Sequence, residues 1–253
     1  MKELLKYLLI SLVQGFTEPL PISSSGHMLI TKNLLGIKSS DLTFEIFLNF
    51  SSMLAIFLFM FTKRISFKET IFNISLIKKL IIASIPTFII GFFVKSYIEK
   101  TSLSIFYIGL SLLITTIFLL ISSYFITRNK NQDLSNFNAL SLGFSQSIAL
   151  IPGISRMGTV MTCGLISGIN IKKVLDFSFL MYLIVSFGSL VLSIPNLANL
   201  NKSVLPYYIV SFVVTFITTF FSIRWFYNII SQKSLIGFSI YTFILGLLLI
   251  ILG

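Results

Sequence analysis

The sequence predicts an all-α polytopic membrane protein, with six transmembrane helices plus two re-entrant helix hairpins in an inverted repeat. Three observations predict it. The chain is 55% hydrophobic and only 11% charged, where a soluble domain carries about 25% charged residues. Six apolar stretches, roughly 42–62, 78–98, 104–127, 174–197, 204–228 and 235–252, approach the ~20 residues that cross a bilayer. Two further apolar regions, 4–36 and 137–170, are each broken near the middle by proline, glycine and serine.

The first region starts like a secretory signal, with Lys2 and Glu3 ahead of Leu4 to Val13. Glu18, Pro19 and Pro21 interrupt it before any small-residue cleavage site, so it is expected to stay in the protein. Its break runs Pro19-Leu-Pro-Ile-Ser-Ser-Ser-Gly26, and the second region breaks at Pro152-Gly-Ile-Ser-Arg-Met-Gly158. Proline removes a backbone donor and stops a helix. Irregular backbone at membrane depth survives only when buried in protein or lining a wet cavity. Both regions therefore read as helix–loop–helix hairpins, each followed by three spans.

That order, given twice, implies a duplication. Gly15-Phe-Thr-Glu18 resembles Gly143-Phe-Ser-Gln146, and Gly36-Ile37 and Phe44 recur as Gly168-Ile169 and Phe177. The chain is expected to be a single membrane domain, 1–253, with halves of about 1–132 and 133–253. Three spans per half is an odd number, so the second half enters upside down, as in many transporters.

Basic residues orient the chain. Lys63, Arg64, Lys68, Lys78 and Lys79 mark one cytoplasmic loop, Arg128 and Lys130 a second, and Arg224 with Lys233 a third. Glu99-Lys100 and Leu197 to Lys202 then fall outside, as do both termini. The first hairpin opens from outside and the second from inside, so their tips can meet near the midplane. The net charge of +11 follows from this loop bias and also suits anionic lipid head groups. It forms no stripe of the kind that binds nucleic acid. Cys163 and His27 are the only cysteine and histidine, which excludes an intramolecular disulfide and a multi-histidine metal site within one chain.

The chemistry gathers at the two breaks. Gln14 and Glu18 are four apart and share a helix face. A carboxylate inside an apolar segment is expensive and usually marks function. Pro19 pushes Glu18 out of helical geometry. Ser23, Ser24 and Ser25 can cap a new helix, whose positive end would face a phosphate. His27, in the first turn after Gly26, can act as nucleophile or as acid/base. At the second break, Ser155 reads as an N-cap. Arg156 sits far from any loop and demands an anion, either phosphate or an internal carboxylate from Glu18, Glu45 or Asp176.

Gln14-Gly-Phe-Thr-Glu18-Pro-Leu-Pro-Ile-Ser-Ser-Ser-Gly-His27 resembles the first motif of the undecaprenyl-pyrophosphate phosphatase family, the bacitracin-resistance type. Gly143-Phe-Ser-Gln146 with Ala149-Leu-Ile-Pro-Gly-Ile-Ser-Arg156 resembles the second, and weaker similarity covers most of the chain. The resemblance implies hydrolysis of a polyprenyl pyrophosphate to the monophosphate and inorganic phosphate. It places a multi-pass protein in the bacterial cytoplasmic (inner) membrane, with the site opening to the outer face and recycling a carrier for cell-wall synthesis. It implies a divalent cation, Mg or Ca, with Glu18 as ligand or acid/base and Gln14 beside it. It also implies Ser24 or His27 as nucleophile, Arg156 on the pyrophosphate, and Ser23, Ser25, Gly26, Gly153, Ser155 and Gly158 around the phosphates. This chain departs from the family pattern in having Met157 where a serine normally follows the arginine. Two other readings remain: a transporter or flippase of a phosphorylated polyprenyl lipid, or a non-catalytic lipid-binding relative. Partners beyond membrane lipids are not legible, and a homodimer stays open.

Overall fold

The computed structural model describes residues 2–37, 42–62, 73–100, 104–128, 132–198, 203–230 and 235–253, apart from the side chains of 2, 42, 95–100 and 195–198. These residues form ten helices: α1 (Lys2–Thr17), α2 (Ser24–Leu34), α3 (Leu42–Thr62), α4 (Ile74–Lys100), α5 (Ile105–Ile126), α6 (Asn136–Ile148), α7 (Arg156–Ile166), α8 (Ile171–Ala198), α9 (Leu205–Ile230) and α10 (Ile236–Leu252). Among the described residues there is no strand, only an isolated bridge between Gln132 and Ile169.

The chain is a multi-pass membrane protein. Five helices, α3, α4, α5, α8 and α9, are long and apolar enough to cross a bilayer, and α10 is apolar but shorter, at Ile236–Leu252. Large apolar side chains such as Phe92 and Leu252 are 80% exposed, a surface that water would not tolerate at this density. Two predicted boundaries shift. α4 starts at Ile74, so Lys78 and Lys79 lie within its first turns and not in a loop. α8 starts at Ile171, which puts Lys172 and Lys173 in its first turn. Good helix formers in the flanks extend both elements beyond their apolar centres. Lys63, Arg64, Lys68, Lys130, Lys233, the side chains of Glu99 and Lys100, and the 197–202 connection largely fall outside the description.

Both predicted breaks are present. α1 ends at Thr17 and α2 starts at Ser24; α6 ends at Ile148 and α7 starts at Arg156. The helices then pack reciprocally. α1 and α3 pack on α9, while α6 and α8 pack on α4, and α5 lies along α10. Glycines permit two of these approaches. A Cβ on Gly15 would stand 2.8 Å from the Thr215 carbonyl oxygen on α9, and one on Gly143 would stand 2.1 Å from that of Ala83 on α4. Small residues are how membrane helices gain close van der Waals contact. Hydroxyl pairs add cross-helix bonds, Ser52 to Thr219 at 3.0 Å and Thr116 to Thr242 at 2.8 Å. At the surface, Lys173 donates to Asp133 at 2.8 Å. That hydrogen bond and the lysine charge hold the carboxyl below its usual range.

Candidate active site

The two breaks meet. A Cβ on Gly26 would lie 3.1 Å from the Gly153 Cα, and the Gly153 N–H donates to Ser25 Oγ at 3.4 Å. Gly153 has φ +93°, and a Cβ there would stand 2.5 Å from the Ser111 Cβ on α5. Glycine alone fits that backbone and that space. Thr115 on α5 donates to the Gly153 carbonyl at 3.0 Å and accepts from the Ser155 N–H at 2.9 Å. The second tip is thus pinned to α5 from both sides.

Each tip restarts its helix on a serine. Ser23 Oγ accepts from the Gly26 N–H at 3.2 Å and Ser155 Oγ from the Gly158 N–H at 3.1 Å. Ser23 does so at φ +70°, a left-handed conformation that costs a non-glycine residue on the order of 1–3 kcal/mol. The caps use up the N–H groups of Gly26 and Gly158. The donors left at the two helix starts belong to Ser24, Ser25, Arg156 and Met157.

Between the tips lies a cavity of about 270 Å³, lined by Glu18, Ser23, Ser24 and Ser25 from one side and Ser155 and Arg156 from the other. Glu18 is its centre. Glu18 Oε2 accepts from Ser24 Oγ at 2.6 Å and from Gln14 Nε2 at 3.0 Å. Glu18 Oε1 faces Arg156 Nη2 at 3.6 Å. Arg156 also donates to the Ser178 carbonyl at 3.3 Å and reaches Ser178 Oγ at 3.5 Å. All three contacts are longer than the ~2.7–2.9 Å of a strong charge-assisted hydrogen bond. A guanidinium on a side chain only 18% exposed, with five donors and no short bond, is poised for another anion.

The structure does not gather every expected residue here. Gln14, Gly26, His27, Gly153 and Gly158 are off the cavity wall. The three glycines serve backbone geometry and tip contact. Gln14 turns its amide nitrogen toward Glu18, at 3.0 Å, and toward Asn49 Oδ1, at 2.8 Å, so it orients the carboxylate. His27 is 8% exposed. Its Nδ1 faces the Ser23 carbonyl at 2.8 Å and its Nε2 the Tyr241 hydroxyl at 2.7 Å. A carbonyl only accepts, so Nδ1 carries the proton and Nε2 accepts from Tyr241. Nδ1 therefore closes the turn within the first tip, and Nε2 ties that tip to α10. Glu45 pairs with Lys32 and Asp176 accepts from Tyr227 at 3.2 Å; of the three expected carboxylate partners only Glu18 meets Arg156.

The sequence reading missed Asn49, Tyr182, Ser186 and Ser189, which also line the cavity. Their signal was an amide in the middle of the 42–62 span and polar residues at helical spacing, 178, 182, 186 and 189, along 174–197. Ser178 and Tyr182 surround Arg156 where Met157 brings no hydroxyl.

Fold and site together define a polytopic membrane protein whose interrupted helices frame a cleft in which one carboxylate, hydroxyls and an arginine sit among apolar walls. The family model described as "Bacitracin resistance protein BacA" matches residues 7–248. A relative named Undecaprenyl-diphosphatase 2, from Bacillus thuringiensis, is 40% identical over 98% of this chain and 97% of its own length. Undecaprenyl-diphosphatase 1 of Bacillus licheniformis is 35% identical over 98% and 97%, and the Undecaprenyl-diphosphatase of Oceanobacillus iheyensis 34% over 97% and 95%. The chain belongs to the BacA bacitracin-resistance family.

Proposed function

We propose that this protein hydrolyses undecaprenyl pyrophosphate to undecaprenyl phosphate and inorganic phosphate, recycling the lipid carrier for cell-wall synthesis. The observation that carries the reading is Glu18, bonded to Ser24 at 2.6 Å and facing Arg156 at 3.6 Å across the two tips. Near-full-length relatives bearing that enzyme name support it.

Ser24 is the nucleophile in this proposal. Its hydroxyl already points its proton at a carboxylate, the pairing that activates a weak nucleophile. Ser24 Oγ attacks the terminal phosphorus and Glu18 takes the hydroxyl proton. The bond from that phosphorus to the bridging oxygen breaks, and Glu18 returns the proton to the departing undecaprenyl phosphate. Water then attacks the phosphoserine, Glu18 takes one of its protons, and inorganic phosphate leaves as Ser24 recovers its hydrogen. Arg156 binds the phosphoryl oxygens and offsets the charge that phosphoryl transfer concentrates there. His27 is the weaker candidate because Ser23 and Tyr241 occupy both its nitrogens.

A divalent cation, Mg or Ca, belongs to the proposal. Among the described residues no three His, Cys, Asp or Glu form a cluster, so no all-protein cage is present there. The cavity's single carboxylate fits Mg²⁺, which is held by one or two carboxylates plus substrate phosphates and water. Glu18 would hold it, with Ser24 and Asn49 alongside. When bound it supplies charge neutralisation on the phosphates.

The reciprocal packing, α1 and α3 on α9 against α6 and α8 on α4, supports an inverted repeat with halves of about 1–132 and 133–253. In it, α1–α2 and α6–α7 are re-entrant hairpins and α10 is the sixth span. We place the protein in the bacterial inner membrane with the cavity reached from the outer face.

The test is phosphate release by the purified full chain in detergent, from undecaprenyl pyrophosphate with Mg²⁺. Release should stop with chelator and be lost in Glu18→Gln. Lipid movement across vesicles without phosphate release would establish a flippase instead. Lipid binding with neither activity would leave a non-catalytic relative.

A further inference from the structure

Arg156 is held by more than its ion pair. Its guanidinium carbon lies 4.4 Å from the centroid of the Tyr182 ring. Tyr182 is 5% exposed and its hydroxyl donates to the Asn49 backbone carbonyl on α3 at 3.2 Å. One helical turn earlier on the same face of α8, Ser178 takes the Nη1 edge through its carbonyl and hydroxyl. The ring and Ser178 therefore take one face and one edge of the fork. Nη2 remains toward Glu18 and the cavity. A guanidinium is planar, so fixing one face and one edge fixes its orientation.

We infer that Tyr182 is a positioning residue: its ring is the platform that sets the plane of the Arg156 fork toward the doubly phosphorylated group, and its hydroxyl locks that platform between α3 and α8. The inference rests on the proposed anion-binding role of Arg156. Without the ring, the side chain is free to rotate its fork and loses a contact of cation–π type, which is strongest when desolvated. The hydroxyl matters less, because the ring is also packed in the main hydrophobic core, to which α3 through α9 contribute.

The probe is inorganic pyrophosphate, titrated calorimetrically into the full chain in detergent, with phosphate release from the lipid substrate measured in parallel. Tyr182→Phe should bind within about threefold of the parent, and Tyr182→Leu about tenfold more weakly, as expected for a lost stacking contact. Tyr182→Met, which has about the volume of leucine but keeps more of the side-chain length and adapts its shape, should weaken binding similarly and serves if the Leu variant does not fold. In an Arg156→Lys background, which has no planar fork, Tyr182→Leu should change binding by less than about twofold. A Phe variant as weak as Leu overturns the platform, as does a Leu effect that persists undiminished in the Lys background. Pyrophosphate binding without phosphate release overturns the proposed activity while leaving the Tyr182 comparison readable. No pyrophosphate binding by the parent overturns both.

Discussion

The two interrupted hairpins use the same device to restart a helix and then do different work. In each, a buried serine caps the N–H three residues on, Ser23 to Gly26 and Ser155 to Gly158. In each, one residue adopts a left-handed backbone, Ser23 at φ +70° and Gly153 at φ +93°. The difference lies in what sits beside the cap. The first tip carries Glu18 and Ser24; the second has Gln146 in the place of Glu18 and carries Arg156. Glu18 opens on the cavity, whereas Gln146 is 2% exposed and donates to Thr87 at 3.3 Å. A shared scaffold has thus been given opposite charges, so the tips complement each other and neither holds a complete site alone.

The comparison breaks most decisively if the charges can be removed without consequence. Arg156→Ala and Glu18→Gln should each lower kcat/KM by about 10²–10³-fold or more, the scale of losing a transition-state charge contact. Phosphate release under saturating Mg²⁺ measures it, and activity within tenfold of the parent in either variant would refute a site shared by the two tips.

Next comes the contrast between the serines. Ser24→Ala should cost about 10³-fold or more in phosphate release with little change in melting temperature, as for a lost nucleophile. Ser155→Ala should do the reverse, lowering stability by about 1 kcal/mol as a lost cap while keeping most activity. Equal behaviour of the two variants would erase the division of labour.

The tip contact itself is sharpened by Gly153→Ala. The added Cβ collides with Ser111 at 2.5 Å on a left-handed backbone, so a loss of about 2–4 kcal/mol is expected, strain and overpacking combined. Thermal unfolding in detergent, compared with the milder Gly26→Ala, reads it.

The smallest effect concerns His27. Tyr241→Phe removes the hydroxyl that bonds Nε2 at 2.7 Å and should cost about 0.5–1.5 kcal/mol of stability and only a few-fold in activity. A loss as deep as that of Ser24→Ala would return His27 to the centre of the chemistry.

Much of the fold was legible because a bilayer imposes strong rules. Apolar length marks spans, proline and glycine mark breaks, and a carboxylate or guanidinium in such a stretch has to be used. Glu18 and Arg156 were readable on that ground and Ser23, Ser24 and Ser25 as capping serines, while Ser24 as a nucleophile came only from the family resemblance, with His27 as the alternative. Tyr182 and Asn49 were not readable, because the polar spacing 178, 182, 186 and 189 and the amide at 49 mark a helix face without naming what that face meets. Which neighbour each meets depends on how α3 and α8 face one another. His27 was read as a reacting group because it is the only histidine and stands beside the serines. Its partner Tyr241 is 214 positions away, and no local feature announces that bond.

By itself the sequence determined the membrane class, the two breaks and the opposite charges placed at them, since each follows from the cost of polar groups in hydrocarbon. Only the tertiary structure decided which charges pair, which hydroxyl reaches the carboxylate and which histidine nitrogen carries the proton. Those depend on how the chain folds over the 2.6 Å between Ser24 and Glu18 within one tip and over the 2.7 and 3.6 Å contacts between segments distant in the chain, and a hydrogen bond is lost within about an ångström of such distances.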